Sequence, residues 1–335
     1  MMRVTLQDIA RVAGVSSATV DRALNGRPGV REHTRTLILS VAQDLGYQLR
    51  NADAAAARLC FLLPHGTNAF IKQLQSEIER EAAAMPGVSV VVEAIEGFDP
   101  PVLGERLTAL QGEIDGLGLI ALDHPVVREA LRKLAQSGVK IVTLVSDIQN
   151  IPRVGYVGVD NRQAGRLAGY VMGRLLGGNR TAKVAVFAGS LFYRGHQERE
   201  MGFRHILYEA FPDLEVVELR EMLDCREKAR AEALALLDRN PDLAAIYNVG
   251  GGSAGIAAAL KESGRAGSIL FIGHEATESN KALLLDGTMD VVIDQNPRVE
   301  AREALSALFS AVREQPYTPV PPRLSVIFRE NLPDD

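Results

Sequence analysis

Short apolar runs alternate with amphipathic segments of helical length from residue 59 to residue 295, and this repeat constrains the fold more than any other feature. The helical segments carry apolar stripes, such as Ile71, Leu74 and Ile78. Strand and helix in alternation predict parallel sheets covered by helices on both faces. Nine strands are better accommodated by two lobes, each with its own sheet, than by a single sheet. The expected strands are LCFLLP (59–64), VSVVVEA (88–94), GLGLIAL (116–122), KIVTLVS (140–146), KVAVFAG (183–189), LEVVEL (214–219), AAIYNV (244–249), SILFIG (268–273) and MDVVIDQ (289–295).

The first 48 residues show a different pattern, that of three short helices. Thr5 can cap a first helix in which Asp8 stands at the third position. Gly14 can end this helix, because glycine adopts a positive φ at little energetic cost. After a tight turn, Ser16 can cap a second helix over residues 17–24, which describes a helix-turn-helix. The inward-facing residues predicted for the second helix and for a third over residues 32–45 are Val20, Leu24, Leu37, Ile38, Val41 and Leu45.

The formal charge is unevenly distributed along the chain. The whole sequence carries a net charge of −5. Residues 1–58 hold eight arginines against five acidic residues, a balance of +3, whereas the remainder holds 29 basic and 37 acidic residues, a balance of −8. A basic end on an acidic body concentrates the attraction for phosphate at that end. The distribution favours nucleic acid as a partner of the N-terminal segment.

Length, cysteine content and hydropathy exclude several classes of protein. A chain of 335 residues is expected to form two or three domains. Only Cys60 and Cys225 are present, without CxxC or His-rich spacing, so we expect neither a disulfide framework nor a metal site. No run of about eighteen apolar residues could span a bilayer, and the N-terminus starts as a polar helix instead of a signal segment. We expect a cytoplasmic protein.

The segment TLQDIARVAGVSSATVDRALNG, followed by TR and LGY, resembles the DNA-binding headpiece of the lactose/galactose repressor family. The resemblance implies that the second helix lies in the major groove of an operator. It implies that Ser17, Ala18 and Arg22 face base edges, where the Arg22 fork can donate to the O6 and N7 of one guanine. Expected phosphate contacts are Thr5, Ser16, Thr19, Asn25 and His33.

The same resemblance implies a homodimeric transcriptional regulator, more often a repressor, with one headpiece on each half of a pseudo-palindromic operator. Residues 1–48 would form the headpiece and residues 49–58 a hinge. In the family this hinge folds on DNA and inserts a leucine wedge into the minor groove. Here the wedge pattern is replaced by Ala54–Ala57, which favours helix and leaves insertion open. The sequence also leaves open whether the protein forms a dimer or a tetramer. It likewise leaves open whether the effector releases or promotes DNA binding.

The remainder of the chain resembles the two-lobed, type I periplasmic sugar-binding protein fold. The resemblance implies a first lobe over residues 59–158 and 288–317, and a second lobe over residues 159–287 and 318–335. The chain would cross between lobes near Val159, Gly287 and Tyr317. A ligand would sit in the cleft at the carboxyl ends of the strands, and the lobes would close around it by a hinge motion.

Polar side chains that directly follow strands are candidates for this cleft. Arg199 lies in an RxxGF motif with Gly202 and Phe203, similar to the ligand-clamping arginine of the family. Asn68 and Phe70 lie in TNAF, similar to its S-N-P-F segment, although Phe70 could equally belong to the core. Carboxylates, amides and an arginine suit a sugar, a polyol or a sugar acid. The candidate effector-binding residues are Asn68, Phe70, Asp123, His124, Asp147, Arg199, Asn248, Glu275 and Gln295.

A rival interpretation comes from Gly250, Gly252 and Gly255. They satisfy GxGxxG between a strand and a helix, and Glu275 stands twenty positions later, as in dinucleotide-binding folds. The alternative would be an NAD-linked oxidoreductase or a dinucleotide-sensing regulator. Because no nucleophile or metal arrangement accompanies the glycines, we predict a regulator without enzymatic activity and without a cofactor.

Overall fold

The computed structural model divides into two compact units, of which the first ends at Ala56 and the second begins at Ala57. Each unit has a hydrophobic core of its own. The expected contact residue Asn25 and most of the expected hinge, residues 49–55, lie outside the described part of the chain. The described residues are 4–24, 29–45, 56–66, 68–177 and 181–333, with only the backbone of Gln43.

The N-terminal unit is a bundle of three helices: α1 (Leu6–Ala13), α2 (Ser17–Leu24) and α3 (Glu32–Asp44). Thr5 and Asp8 form the predicted capping box at the start of α1, and Gly14 ends that helix with a left-handed φ of +68°. Ile9, Val20 and Ile38 are completely buried between the three helices. These helix boundaries agree with the sequence analysis.

One residue of the predicted inner stripe was misplaced. Leu37 is 43% exposed, and the buried positions on α3 are Ile38 and Ala42. Val41 and Leu45 pack partly buried against the same cluster. The apolar stripe of a helix recurs every three to four residues, so Ile38 and Ala42 define the inner face and Leu37 lies beside it.

The first lobe of the body is built on a five-stranded parallel sheet with the strand order β2-β1-β3-β4-β5. Three helices follow its strands, and their apolar faces enclose the core. The strands are β1 (Ala57–His65), β2 (Val88–Glu96), β3 (Gly116–Leu119), β4 (Lys140–Leu144) and β5 (Gly155–Val157), and the helices are α4 (Ala69–Ala83), α5 (Pro100–Ala109) and α6 (Pro125–Gln136).

The second lobe is built on a six-stranded sheet with the strand order β11-β10-β9-β8-β6-β7, in which only the edge strand β11 is antiparallel. Helices cover both of its faces. The strands are β6 (Ala182–Ala188), β7 (Leu214–Glu221), β8 (Leu243–Asn248), β9 (Leu270–His274), β10 (Val291–Asp294) and β11 (Ser325–Ile327), and the helices are α7 (Asn161–Leu175), α8 (Arg194–Ala210), α9 (Arg226–Arg239), α10 (Ser253–Glu262) and α11 (Glu278–Leu285). The last helix, α12 (Pro297–Val312), follows β10 and belongs to the first lobe.

The two-lobed α/β fold class predicted from the sequence is confirmed. All nine expected strands are present, with ends shifted by a few residues. The strands that were missed, β5 and β11, contain three residues each. Such short runs cannot show the alternation or the apolar stretch from which strands are recognised.

The path of the chain between the lobes differs from expectation at one point. Strand β10 pairs with β9, so it belongs to the second sheet. The chain therefore returns to the first lobe at Gln295 and Asn296, later than the expected crossing near Gly287. Helix α12 then packs into the core of the first lobe through residues such as Ala304 and Leu308. An apolar run predicts a strand but does not specify which sheet it joins.

Candidate functional site

Helix α2 presents an exposed polar face on the headpiece. Ser17, Ala18 and Arg22 are all exposed. The start of the helix is fixed by Ser16, whose Oγ accepts from the N–H of Thr19 at 3.1 Å and lies 2.8 Å from the Thr19 hydroxyl. The contacts of these residues with bases and phosphates remain predictions.

The remaining predicted phosphate contacts lie at helix starts. His33 is exposed in the first turn of α3. The Thr5 hydroxyl donates to Asp8 Oδ2 at 2.7 Å, so this threonine already serves as a helix cap. Helix α3 is tied to α2 by Arg35, whose Nη1 donates to the Ala23 carbonyl at 2.9 Å. The bundle thereby holds α2 in a fixed orientation relative to α3.

The body encloses a cavity of about 770 Å³ between its two lobes. It lies at the carboxyl ends of the strands, where doubly wound sheets bind ligands. Four of the predicted effector-binding residues line it: Asn68, Phe70, Arg199 and Glu275. Phe70 is only 3% exposed and also belongs to the core of the first lobe, and its contact with an effector remains a prediction.

Arg199 lies on α8 at the inner end of the cavity and is 3% exposed. Its Nε donates to Asn161 Oδ1 at 2.7 Å, and its Nη1 donates to the Val249 carbonyl at 2.9 Å. Two glycines bring its helix against α7: a Cβ at Gly165 would lie 1.9 Å from the Arg199 carbonyl oxygen, and one at Gly202 would lie 2.1 Å from the carbonyl oxygen of Arg162. The glycine of the RxxGF motif therefore positions the arginine by helix packing.

Glu275 follows β9 and shares this buried environment. Its Oε1 accepts from Gln295 Nε2 at 2.7 Å and lies 3.7 Å from Arg199 Nη1, while its Oε2 is buried without a hydrogen-bond partner. Burial raises the pKa of Glu275 to about 8, and the positive charge of Arg199 opposes the rise. Gln295 does not line the cavity; it supports Glu275 from behind.

A carboxylate holds the glycine loop that precedes α10. Asp224 Oδ1 accepts from the Gly251 N–H at 2.9 Å, and its Oδ2 accepts from Asn68 Nδ2 of the first lobe at 2.9 Å. Asn248 is completely buried and does not line the cavity. Its amide donates to the Gly250 and Gly251 carbonyls at 3.0 and 2.9 Å. Asn248 therefore shapes the loop instead of facing the cavity.

The lobes are joined across the cleft by further hydrogen bonds. The Tyr193 hydroxyl of the second lobe donates to the Gly97 carbonyl at 2.6 Å, and the Gly195 N–H donates to Ser146 Oγ at 3.0 Å. The rings of Phe98 and Tyr193 meet edge to face with centroids 5.8 Å apart. The arrangement is a closed one, with an aromatic side chain from each lobe at the cavity wall.

Three predicted residues require correction, because the structure does not bring Asp123, His124 or Asp147 to the cavity. Asp123 pairs with Arg128 at 2.6 Å. The His124 ring accepts from the N–H of Val126 and caps α6. Asp147 accepts from Thr143 Oγ1 and pairs with Arg153, both at 2.7 Å. Polar residues after strands also serve as caps and loop ties, and here that role prevails.

Other cavity residues escaped the sequence analysis. Asn161 follows β5, which is too short to be recognised, and Asp224 lies three residues beyond the end of β7, which extends past its predicted end. His274 directly follows the expected strand over residues 268–273 and was passed over for its neighbour Glu275; in the structure it is the last residue of β9. Nothing local indicates Asn161. The polar and aromatic cavity residues that were missed are His65, Glu96, Phe98, Ser146, Asn161, Tyr193, His196, Asp224, Cys225, Arg226, Glu227, Ser253, His274, Thr277, Ser279 and Asn280.

The structure does not support the dinucleotide alternative. The Gly251 N–H, which would face a pyrophosphate, already donates to the Asp224 carboxylate, and a second negative group there would be repelled. Gly255 serves close packing, since a Cβ would lie 2.2 Å from the Arg226 carbonyl oxygen. The GxGxxG spacing thus arises from a carboxylate-bound loop and a tight helix contact.

Metal-binding clusters and membrane-spanning helices are absent from the described ranges. In the described ranges no group of three or more His, Cys, Asp or Glu side chains could hold a metal ion. Within the same ranges no helix is both long enough and apolar enough to cross a membrane.

The chain combines a three-helix headpiece that has an exposed second helix with a two-lobed α/β body that encloses a polar cavity. The chain belongs to the family described as periplasmic binding protein domain, whose model matches residues 59–316. Residues 5–49 match the model of the bacterial regulatory proteins of the lacI family. The resemblance inferred from the sequence is therefore confirmed for both parts of the chain.

Relatives of both kinds are found. The chain is 26% identical over 208 residues to the D-ribose/D-allose-binding protein of Pseudomonas aeruginosa, covering 60% of this chain and 63% of that protein. It is 29% identical over 168 residues to catabolite control protein A of Priestia megaterium, covering 49% of each. The chain thus spans less than two thirds of the length of these curated relatives. The crystal structure of GanP, a glucose-galactose binding protein from Geobacillus stearothermophilus, shares the fold at 22% identity, with a TM-score of 0.77 over 84% of this chain and 100% of that one.

Proposed function

We propose that the protein is a sequence-specific DNA-binding transcriptional repressor whose operator binding is controlled by a small hydroxylated effector in the interlobe cavity. One observation carries the proposal: a headpiece with an exposed recognition helix and a body with an enclosed polar cavity lie on the same chain. The protein would act in the cytoplasm, where DNA is found, and would bind its effector without chemical conversion.

The DNA-binding half of the proposal is supported by the surface of α2. Ser17 and Ala18 are small and exposed, and Arg22 is the long exposed donor on the same helix. An arginine fork suits the two acceptors of a guanine in the major groove, and a small side chain suits contact with a thymine methyl group. The positive balance of residues 1–58 supplies the attraction to phosphate.

The effector half is supported by the composition of the cavity wall. Amide, hydroxyl, carboxyl and guanidinium groups face the cavity together with the aromatic rings of Phe98 and Tyr193. Polar groups that fix orientation, set among apolar and aromatic walls, are typical of small-molecule sites. A sugar or polyol offers hydroxyls to the former and C–H faces to the latter.

Communication between the two halves is proposed to run through a homodimer. Ligand closes the two lobes, the packing of the first lobes in the dimer changes, and the spacing of the two headpieces on the operator changes with it. Such coupling requires the ligand to prefer one dimer geometry over the other. A dimer also explains how two copies of α2 would read two half-sites one helical turn apart.

Selection from a random DNA pool tests the proposal. We expect the full-length protein to enrich a pseudo-palindromic sequence, and a sugar that raises the melting temperature of the body to alter affinity for that sequence. Enrichment of no sequence, or binding that is equal on all DNA, would refute sequence-specific regulation. A sugar that stabilises the body without changing operator affinity would refute the proposed control.

A further inference from the structure

We propose that the cleft takes a hydroxylated ligand that presents a hydrogen-bond donor to Glu275 and carries no carboxylate or phosphate. Neutral sugars, polyols and amino sugars satisfy this description, because a hydroxyl and an ammonium group are both donors. Sugar acids and sugar phosphates do not. The inference rests on the proposed function, since it concerns the same cavity.

Some buried polar atoms of the protein have no hydrogen-bond partner. Among the described residues these are Glu275 Oε2, Gln295 Oε1 and both carboxyl oxygens of Glu300, and all four are acceptors. Glu275 and Gln295 are joined by a hydrogen bond of 2.7 Å. Glu300 lies near enough to Glu275 for the two charges to disfavour each other. The inner end of the cleft therefore has a surplus of acceptors and needs donors.

Glu275 is the member of this group that lines the cavity. It is nine-tenths buried, and its backbone is held in a left-handed conformation with φ of +70°. Arg199 faces it from α8, Asp294 from β10 and Glu300 from α12. A proton on Glu275 would turn one oxygen into a donor, but Gln295 Oε1 would still lack one. A ligand anion brings acceptors only and leaves this surplus in place.

The buried positive groups of the cavity wall are engaged or uncharged, whereas the two other basic residues of the wall, His65 and Arg226, are exposed. Arg199 uses Nε and Nη1 for Asn161 and the Val249 carbonyl. Its Nη1 also lies 3.7 Å from Glu275 Oε1, so the guanidinium is already shared among three buried acceptors of the protein. Burial lowers the pKa of His196 and holds the pKa of His274 well below its usual range. At neutral pH both rings are uncharged.

The opposite part of the cavity wall also disfavours an anion. Backbone N–H groups at the start of a helix commonly bind phosphate or carboxylate. Here the Asp224 carboxylate already accepts from the Gly251 N–H in the loop before α10. The protein thus supplies its own anion at the place where a ligand anion would otherwise bind.

Matched ligands of one carbon skeleton test the inference. We would titrate the full-length protein by isothermal calorimetry with D-glucose, D-glucosamine and D-glucuronate, with the corresponding galactose series, and with D-ribose, D-allose and their phosphates. We expect binding by a neutral or amino sugar and at least ten-fold weaker binding by its acid or phosphate. The neutral and amino members of each series show which donor is used.

Two variants sharpen the result. Glu275→Gln places an amide donor beside the surplus acceptors and removes the carboxyl group, so the ratio of acid to neutral affinity should rise about ten-fold. The matched control Glu129→Gln makes the same change on the exposed face of α6 and should leave the ratio unchanged.

An acid that binds more tightly than its neutral counterpart would overturn this inference alone, because a hydroxylated effector would still bind the cleft. Binding by no compound of the set would overturn both the inference and the proposed class of effector. An equal change of ratio in the two variants would show that Glu275 has no particular part in the selection.

Discussion

The side chains predicted to contact bases in the headpiece are exposed, whereas most of those predicted to bind the effector in the body are buried. Ser17, Ala18 and Arg22 are exposed on α2, and the core that holds this helix contains none of them. Arg199 and Glu275 are buried, and neighbours on other elements hold them in place. Changes on an exposed surface are largely independent, whereas residues in one buried network act together. Mutation should therefore affect reading of DNA residue by residue, and effector binding as a unit.

The largest effect is expected from Arg199→Ala. Its loss leaves two buried acceptors, Asn161 Oδ1 and the Val249 carbonyl, without their donor, so the body should lose about 3–5 kcal/mol of stability. Urea denaturation would measure this, and calorimetry with the sugar that binds the wild-type protein should show no binding.

The headpiece provides the control for this variant. It has its own core, so binding of the selected operator by Arg199→Ala should persist at temperatures where the body stays folded. An unchanged dose response to the sugar would contradict the assignment of Arg199 to the cleft. Loss of operator binding by a folded variant would contradict the independence of the two parts.

The next effect concerns pH and also belongs to the body. The pKa of Glu275 is raised from 4.5 to about 8, mainly by burial. A raised pKa contributes stability that is complete below about pH 4.5 and is lost as pH rises through about 8. Between pH 5 and pH 9 the ionisation of this group should lower the free energy of unfolding by roughly 4 kcal/mol.

Glu275→Gln should remove that part of the loss, which denaturation at several pH values would show. The exposed substitution Glu129→Gln should keep the wild-type profile. A profile for Glu275→Gln that parallels the wild type would mean that Glu275 is ionised at neutral pH in the folded protein.

A smaller effect is expected from Arg22→Ala in the headpiece. Loss of a two-pronged contact with guanine should weaken binding to the selected operator by about 1–3 kcal/mol and relax one base position. The folded structure should be unchanged, because Arg22 is exposed. Electrophoretic mobility shifts on operator and random DNA would measure both. Equal weakening on the two DNAs would assign Arg22 to phosphate instead.

The smallest effect is expected from Thr5→Ala. The variant removes the cap of α1, in which the Asp8 N–H donates to Thr5 Oγ1 at 3.3 Å, and should cost about 1 kcal/mol. Hydrogen exchange of the α1 amides would detect it. Thr36→Ala, whose hydroxyl only donates to the Glu32 carbonyl within α3, is the matched control. Equal exchange in the two variants would argue against a stabilising cap.

Features that depend on neighbouring residues could be predicted from the sequence, whereas features that depend on distant segments could not. Helix ends in the headpiece depend on residues such as Thr5 and Gly14 that are neighbours in the chain, so the pattern predicts them correctly. The strands of the body are equally local. Their assignment to a sheet is not, and β10 was therefore placed in the wrong lobe, because its pairing with β9 depends on distant segments.

The residues of the cavity show more clearly which features cannot be predicted from the sequence. Arg199 and Glu275 were found because a motif and a strand end indicate them. Asp224 was missed, since its place is set by a left-handed turn at φ of +52° and by a hydrogen bond to a residue 27 positions away. Asp123 was included although it pairs with Arg128 of the helix that follows it. Whether a polar side chain caps a helix or faces a cleft is decided by the packing of segments remote in the chain.

The contact between α7 and α8 has a consequence for how this cleft could acquire new ligands. The backbones touch at Gly165 and Gly202, so any larger residue there would displace the arginine together with Asn161 at the start of α7. Single substitutions at these two glycines therefore cannot alter that side of the cavity in small steps. The backbone of the loop around Asp224 is tied to the end of β6 by the Met222 and Leu223 N–H groups, but the Asp224 side chain meets its neighbours through hydrogen bonds to Asn68 and Gly251. Selection for a different effector would find its accessible substitutions in that loop, and a new specificity would arise there first.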